Sequence, residues 1–296
     1  MTFNKLTTII LLLNTFNIYA QNRGEIVDKN SKIERIKTGF AFTEGPAVAK
    51  DGRVYFTDQP NDKIYIWDEN KGVSLYLEGT GRSNGMYFNA KNQLVTCADE
   101  KNQLGYFNKN KQLVVLHQNY NGKHLNAPND LWITPKGGIY FTDPYYHRKW
   151  WTKNHKEIQD TRGVYFLNTN GKIFRVINDF KTPNGIIGTP NGKTLYVADI
   201  QDKKIWKYDI QKDGTLTNKT FFAPHGSDGM TIDNKGNVYL TSEKVWVYNK
   251  KGLLIKEIKC PEKPANICFG GKKRKTLFIT ARKSIYTLKM KVKGVD

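Results

Sequence analysis

The sequence holds only three cysteines and five histidines in 296 residues, and its acids are outnumbered by its bases, 27 to 47. An odd, small cysteine count excludes a disulfide framework as the organising principle. Cys97 falls inside a strand pattern and reads as a small buried apolar residue. Cys260 and Cys268 flank a turn, and whether they bridge is left open by the sequence. A His-Glu-x-x-His zinc motif is missing, and so is a Gly-x-Ser-x-Gly nucleophile elbow, with Gly226-Ser227-Asp228-Gly229 not matching it. Beyond residue 20 no apolar run is long enough to cross a bilayer as a helix. The net charge of +20 invites a nucleic-acid reading, but Lys and Arg are spread along the whole chain. The one dense run, Lys272-Lys273-Arg274-Lys275, sits where a turn is expected. A field that draws in anionic ligands is what this charge supports, without a nucleic-acid partner.

The N-terminus carries a leader pattern. Lys5 supplies the positive start, Leu6 to Leu13 a short apolar stretch, and Ile18-Tyr19-Ala20 a small-residue end. The expectation is a signal peptide over 1–20, cleavage before Gln21, a mature domain over 21–296, and a periplasmic or secreted location.

What the mature chain does contain is repetition. Six similar runs recur: Val54–Asp58, Leu94–Ala98, Ile139–Asp143, Leu195–Asp199, Val238–Ser242 and Leu277–Ala281. Their first residues are 40, 45, 56, 43 and 39 apart, the length of a four-stranded propeller blade. Turn dipeptides such as Asp51-Gly52 and Asn191-Gly192 precede the runs, and a second β pattern follows each. The pattern predicts an all-β, six-bladed β-propeller of four-stranded antiparallel blades. Lys32 to Phe40 reads as a strand with no blade of its own, and the last blade lacks an outer strand. The N-terminal strand is therefore expected to close the last blade, which removes an exposed sheet edge.

Ten or eleven residues upstream of each run stands a polar residue: Glu44, Asn84, Asn129, Asn184, Asp228 and Asn266. Each is expected to open the innermost strand of its blade, so that six oxygen-bearing side chains converge on one axis. Two carboxylates and four amides, with no His or Cys, form a hard donor set suited to Ca²⁺ or Mg²⁺ and tolerant of Mn²⁺ or Zn²⁺. Asn before Gly is also ordinary turn chemistry, and Asn84 and Asn266 are the two most readily assigned to shaping loops. The insertion Pro144 to Arg162, rich in Tyr, Trp and His, emerges on the same face. It reads either as a substrate cap or as a loop packed on a neighbouring blade.

These residues carry a family resemblance. Glu44-Gly-Pro, Leu125-Asn-Ala-Pro-Asn-Asp130, Phe141-Thr-Asp-Pro144, Thr182-Pro-Asn-Gly-Ile186, Asp228-Gly-Met230 and the stretch Pro261 to Gly271 resemble the senescence marker protein/gluconolactonase/luciferin-regenerating family, most closely its bacterial gluconolactonase branch. The resemblance implies one divalent metal ion held by Glu44, Asn184 and Asp228. Asn129 would complete the metal shell or touch substrate, and Asp228 would serve as general base. Arg82, His124 and Tyr145 are implied substrate contacts. Two departures stand out: Ser227 where the branch often has Pro, and His124 where Arg or Lys is common. The expected activity is metal-dependent hydrolysis of a sugar-acid lactone to the free aldonic acid. Two rivals stay open: a metal hydrolase of aryl esters or organophosphates on the same scaffold, and a non-enzymatic binding propeller with a structural metal.

Overall fold

A computed structural model describes residues 25–295. The expected leader, 1–20, lies outside the described residues. The fold is a ring of six four-stranded antiparallel blades, and among the described residues it holds no α-helix. The first blade runs Thr43–Val48, Val54–Asp58, Lys63–Asp68, Gly72–Glu78, from the channel outward. The second to fifth blades begin at Ser83, Leu131, Pro183 and Met230 and follow the same order. The sixth takes Asn266–Gly270, Thr276–Ala281 and Ser284–Lys289 from the C-terminal end, then Glu34–Thr38 from the N-terminal end. Glu34 pairs with Thr287 and Thr38 with Ser284, which closes the ring as the sequence predicts.

The repeated runs form the second strand of every blade. Val54–Asp58, Ile139–Asp143 and Leu277–Ala281 are buried along their whole length. A strand alternates its faces, so a fully buried strand needs cover on both. Here the neighbouring blades supply it. Phe56 and Trp67 of the first blade pack with Phe278 of the sixth, ring centroids 5.5 and 5.3 Å apart. Outer strands such as Glu34–Thr38 are largely exposed and carry the charged residues. Chain direction then sorts the loops. Inner strands start at one mouth of the channel and second strands return to it. The basic run 272–275 joins an inner to a second strand and so lies on the far face. None of Cys97, Cys260 and Cys268 forms a disulfide.

Candidate metal centre and its cavity

The recurrent acid at the end of the second strand positions the site. In the first blade Asp58 Oδ1 accepts hydrogen bonds from the backbone N–H groups of Ala41 and Phe42, both at 3.0 Å. In the third, Asp143 accepts from Asn126 at 2.9 Å and Ala127 at 2.8 Å. In the fourth, Asp199 accepts from Lys181 at 2.8 Å and Thr182 at 3.0 Å. Each carboxylate thus ties down the segment that leads, two residues later, to Glu44, Asn129 or Asn184. The fifth blade uses a hydroxyl instead. Ser227 Oγ accepts from Thr241 N at 2.8 Å and donates to the Gly229 carbonyl at 2.7 Å, which holds Asp228 between them.

The backbone bends where these residues sit. Register shifts fall between Glu44 and Ala47, between Ser83 and Met86, and between Pro183 and Ile186. Such bulges re-aim a side chain out of the strand's alternation. Asn129 and Asp228 lie just ahead of their inner strands, which start at Leu131 and Met230, so they do not open a strand as the sequence suggested. The glycine after the polar residue has a separate cause. Gly45 has φ +46°, and a Cβ there would lie 1.8 Å from the Asn84 carbonyl oxygen. Adjacent inner strands converge closely enough that only hydrogen fits.

Five of the six polar residues, Glu44, Asn84, Asn129, Asn184 and Asp228, help to line the floor of a cavity of about 750 Å³, while the sixth, Asn266, stays out of the lining. Glu44 Oε2 accepts from Gly45 N at 2.9 Å and from Asn266 Nδ2 at 3.2 Å. Asn266 therefore orients an acid rather than merely shaping a loop. Asn184 Nδ2 donates to Asp228 Oδ1 at 2.8 Å and to the Tyr146 hydroxyl at 3.1 Å. The Oδ1 atoms of Asn184 and Asn84 are buried and have no hydrogen-bond partner among the described residues. Glu44 is 5 % exposed. Burial first, then the Asp228 charge, pushes its carboxyl well above the usual carboxylate range. Burial likewise raises Asp228, against the Asn184 hydrogen bond and the field of Arg148.

Among the described residues no three His, Cys, Asp or Glu side chains gather as a metal cluster. The donor set here is different: two acids plus amide oxygens. Two buried like charges and two orphaned amide oxygens facing one cavity are what a hard cation would satisfy. The residues fit a divalent ion, which Glu44, Asn129, Asn184 and Asp228 would hold.

The insertion 144–162 packs on a neighbouring blade, one of the two readings expected of it. Arg148 Nη2 pairs with the fully buried Asp99 Oδ2 at 2.7 Å, and Trp151 Nε1 donates to the Glu100 carbonyl at 3.2 Å, docking the loop on the second blade. Tyr146 and Arg148 reach the cavity wall. Tyr145 does not. Its hydroxyl donates to the His155 carbonyl at 2.6 Å, and its ring stacks on Trp151. Arg82 and His124 also lie away from the cavity lining. Arg82 Nη1 donates to the Pro60 carbonyl at 2.6 Å and its guanidinium covers Trp150. His124 is exposed on a small hairpin, its carbonyl accepting from Gln159 Nε2 at 2.7 Å. The cations that do line the cavity are Arg148, Lys203, Lys263 and Arg282. No sequence pattern pointed to them, because each sits in a loop whose side-chain direction only the packing decides.

Residues 42–283 match the model of the SMP-30/gluconolactonase/LRE-like region. The chain belongs to this family. It is 27% identical over 299 residues to a gluconolactonase of Zymomonas mobilis, covering 91% of this chain and 84% of that protein. A diisopropyl-fluorophosphatase of Loligo vulgaris is 30% identical over 185 residues, 54% of this chain and 55% of that one. Among solved structures, a gluconolactonase of Xanthomonas campestris superposes with a TM-score of 0.83 at 26% identity, covering 89% of this chain and 91% of its own. The family match runs through every segment that carries the acids and amides of the cavity floor.

Proposed function

We propose that this family member is a metal-dependent lactonase that hydrolyses a sugar-acid lactone to the free aldonic acid, and that it works outside the cytoplasm. One observation carries the reading: two buried acids and two amide oxygens without partners share the floor of an open cavity. The gluconolactonase relatives support the substrate class, and the leader pattern supports the location.

A divalent ion held by Glu44, Asn129, Asn184 and Asp228, Ca²⁺ on the strength of the oxygen donors, would supply Lewis-acid polarisation of the lactone carbonyl. Asp228 has one oxygen engaged by Asn184, and among the described residues its second oxygen accepts no hydrogen bond. That second oxygen takes the proton of the attacking water, as a general base must be in reach of it. Among the described residues the Asn129 side chain makes no hydrogen bond, and it faces the cavity, where it would hold the ring hydroxyls or complete the cation's shell. Arg148, fixed by Asp99, presents a guanidinium on the same wall. Ser227 is not placed to act as a nucleophile. Ser227 is fully buried, with its hydroxyl proton given to the Gly229 carbonyl.

The organophosphatase alternative draws on the Loligo relative, and the cavity does have apolar walls at Phe42, Ile200 and Trp246. Four cations and Gln59 line it as well, which suits a polar substrate better. A pH-stat comparison of several aldonolactones with an aryl ester and a fluorophosphate separates the two. Lactone opening above the spontaneous rate supports the proposal; turnover of the ester or fluorophosphate alone overturns it.

A further inference from the structure

We propose that the insertion 144–162 steadies the cation through Tyr146, whose hydroxyl fixes the Asn184 amide with its oxygen turned to the ion. The inference rests on the reading that a divalent ion sits on the cavity floor, and it concerns a residue outside the donor set.

The hydrogen bonds of the Asn184 amide fix which of its ends faces which neighbour. A carboxylate that is ionised accepts and never donates. Asp228 Oδ1 lies 2.8 Å from one end of the Asn184 side chain, so that end is the NH₂ group. Its second hydrogen goes to the Tyr146 hydroxyl at 3.1 Å. Both amide hydrogens are then committed, and Asn184 Oδ1 is left buried with no protein partner. Remove the Tyr146 oxygen and one hydrogen is left unpaired, so the amide loses the contact that opposes rotation. Outer partners of this kind set the orientation of the groups that touch a metal, and their loss typically weakens binding by about 10- to 100-fold.

Tyr146 is supplied by the insertion, not by a blade strand. Two residues on, Arg148 pairs with Asp99 at 2.7 Å, and Gln59 Nε2 donates to the same carboxylate at 2.6 Å. Trp151 adds its bond to the Glu100 carbonyl. The loop is thus pinned to the second blade while its Tyr146 touches an amide of the fourth. Coupling between two sites is reciprocal. If the loop's position favours the cation, the cation must favour the loop's position by the same factor.

The test is calorimetric titration of the mature protein, stripped by chelation, with whichever of Ca²⁺, Mg²⁺, Mn²⁺ and Zn²⁺ binds most tightly. Tyr146→Phe is expected to raise Kd by about tenfold or more. Tyr145→Phe is the control. It removes a hydrogen bond of the same loop that touches no cation holder, and its Kd should stay within about twofold, since the lost bond lies outside that outer shell. Amide hydrogen exchange supplies a second readout. The cation should slow exchange over 145–151 in wild type and in Tyr145→Phe, and fail to do so in Tyr146→Phe. A Tyr146→Phe protein that binds as tightly as wild type overturns the link and leaves the cation reading intact. Equal weakening by both variants overturns it too, since that is general loosening of the loop. A wild-type protein that binds none of the four ions overturns the link together with the cation reading beneath it. Neither readout depends on lactone turnover, so a failed lactonase assay does not touch the result.

Discussion

Asp199→Ala is a direct probe of how the scaffold builds the site. The carboxylate is 3 % exposed and receives the N–H groups of Lys181 and Thr182 at 2.8 and 3.0 Å. Truncation strands both donors, the Thr182 bond being buried and the Lys181 bond partly buried. Hydrogen bonds to a charged acceptor contribute roughly 1.5–3 kcal/mol each, so the loss should reach about 3 kcal/mol. Asp209→Ala on the same blade removes a single exposed bond, from Asn218 Nδ2 at 2.8 Å, and should cost well under about 1 kcal/mol. Urea unfolding of the two variants beside wild type measures the difference. Because Thr182 stands two residues before Asn184, Asp199→Ala should also weaken divalent-ion binding at partial urea-free stability, whereas Asp209→Ala should not. A loss below about 1 kcal/mol, or equal losses for the two variants, would refute the claim that the strand-end acids hold the segments leading to the site.

Three further outcomes follow from the same geometry. Saturating divalent ion, at about 100 times its Kd, should stabilise the protein by about 2.7 kcal/mol and raise the melting temperature by several degrees; calorimetry showing no shift would contradict a cation on the cavity floor. Burial raises the Asp99 carboxyl to about 7 despite Arg148 beside it. Its folded pKa lies above its unfolded value, so the native state holds the proton longer. Stability contributed by this group is therefore fully present below about pH 4 and is lost as pH rises to about 7. Asp99→Asn should flatten that part of the melting-temperature profile, and an unchanged slope would count against it. The mouth carries Lys203 and Arg282, neither in a salt bridge among the described residues, beside one acid, Glu243, which is paired with Lys263 at 2.6 Å. A lactone bearing a second acid group should show a lower KM than neutral glucono-1,5-lactone, with the gap closing as salt screens the cations. Equal KM values at low salt would contradict this.

The ring was legible because its signal is repeated. A strand pattern bounded by turns recurs six times at blade length, and the unpaired strand near residue 34 had one place to go. The positions of Glu44, Asn184 and Asp228 were legible for the same reason, as a register rather than as single residues. What the sequence hid lies in loops and at strand ends. Tyr145 and Tyr146 are neighbours in an irregular segment, and only the packing shows that the second turns to Asn184 while the first turns to His155. Arg82 has a positive φ, 52°, which swings it to Pro60 and Trp150 instead of the cavity. Asn266 was indistinguishable from a turn residue until its contact with Glu44 appeared. The acids at the ends of the second strands were visible as a repeat, but their acceptor role depends on loops folding back to them.

The most direct test of the account is lactone hydrolysis by the mature protein after chelation, with and without restored Ca²⁺, Mg²⁺, Mn²⁺ or Zn²⁺, beside Asp228→Asn. The account predicts turnover of glucono-1,5-lactone that vanishes on chelation, returns with the ion, and falls by at least about 100-fold in Asp228→Asn, the range lost with a general base. Turnover that survives both chelation and the substitution would contradict it.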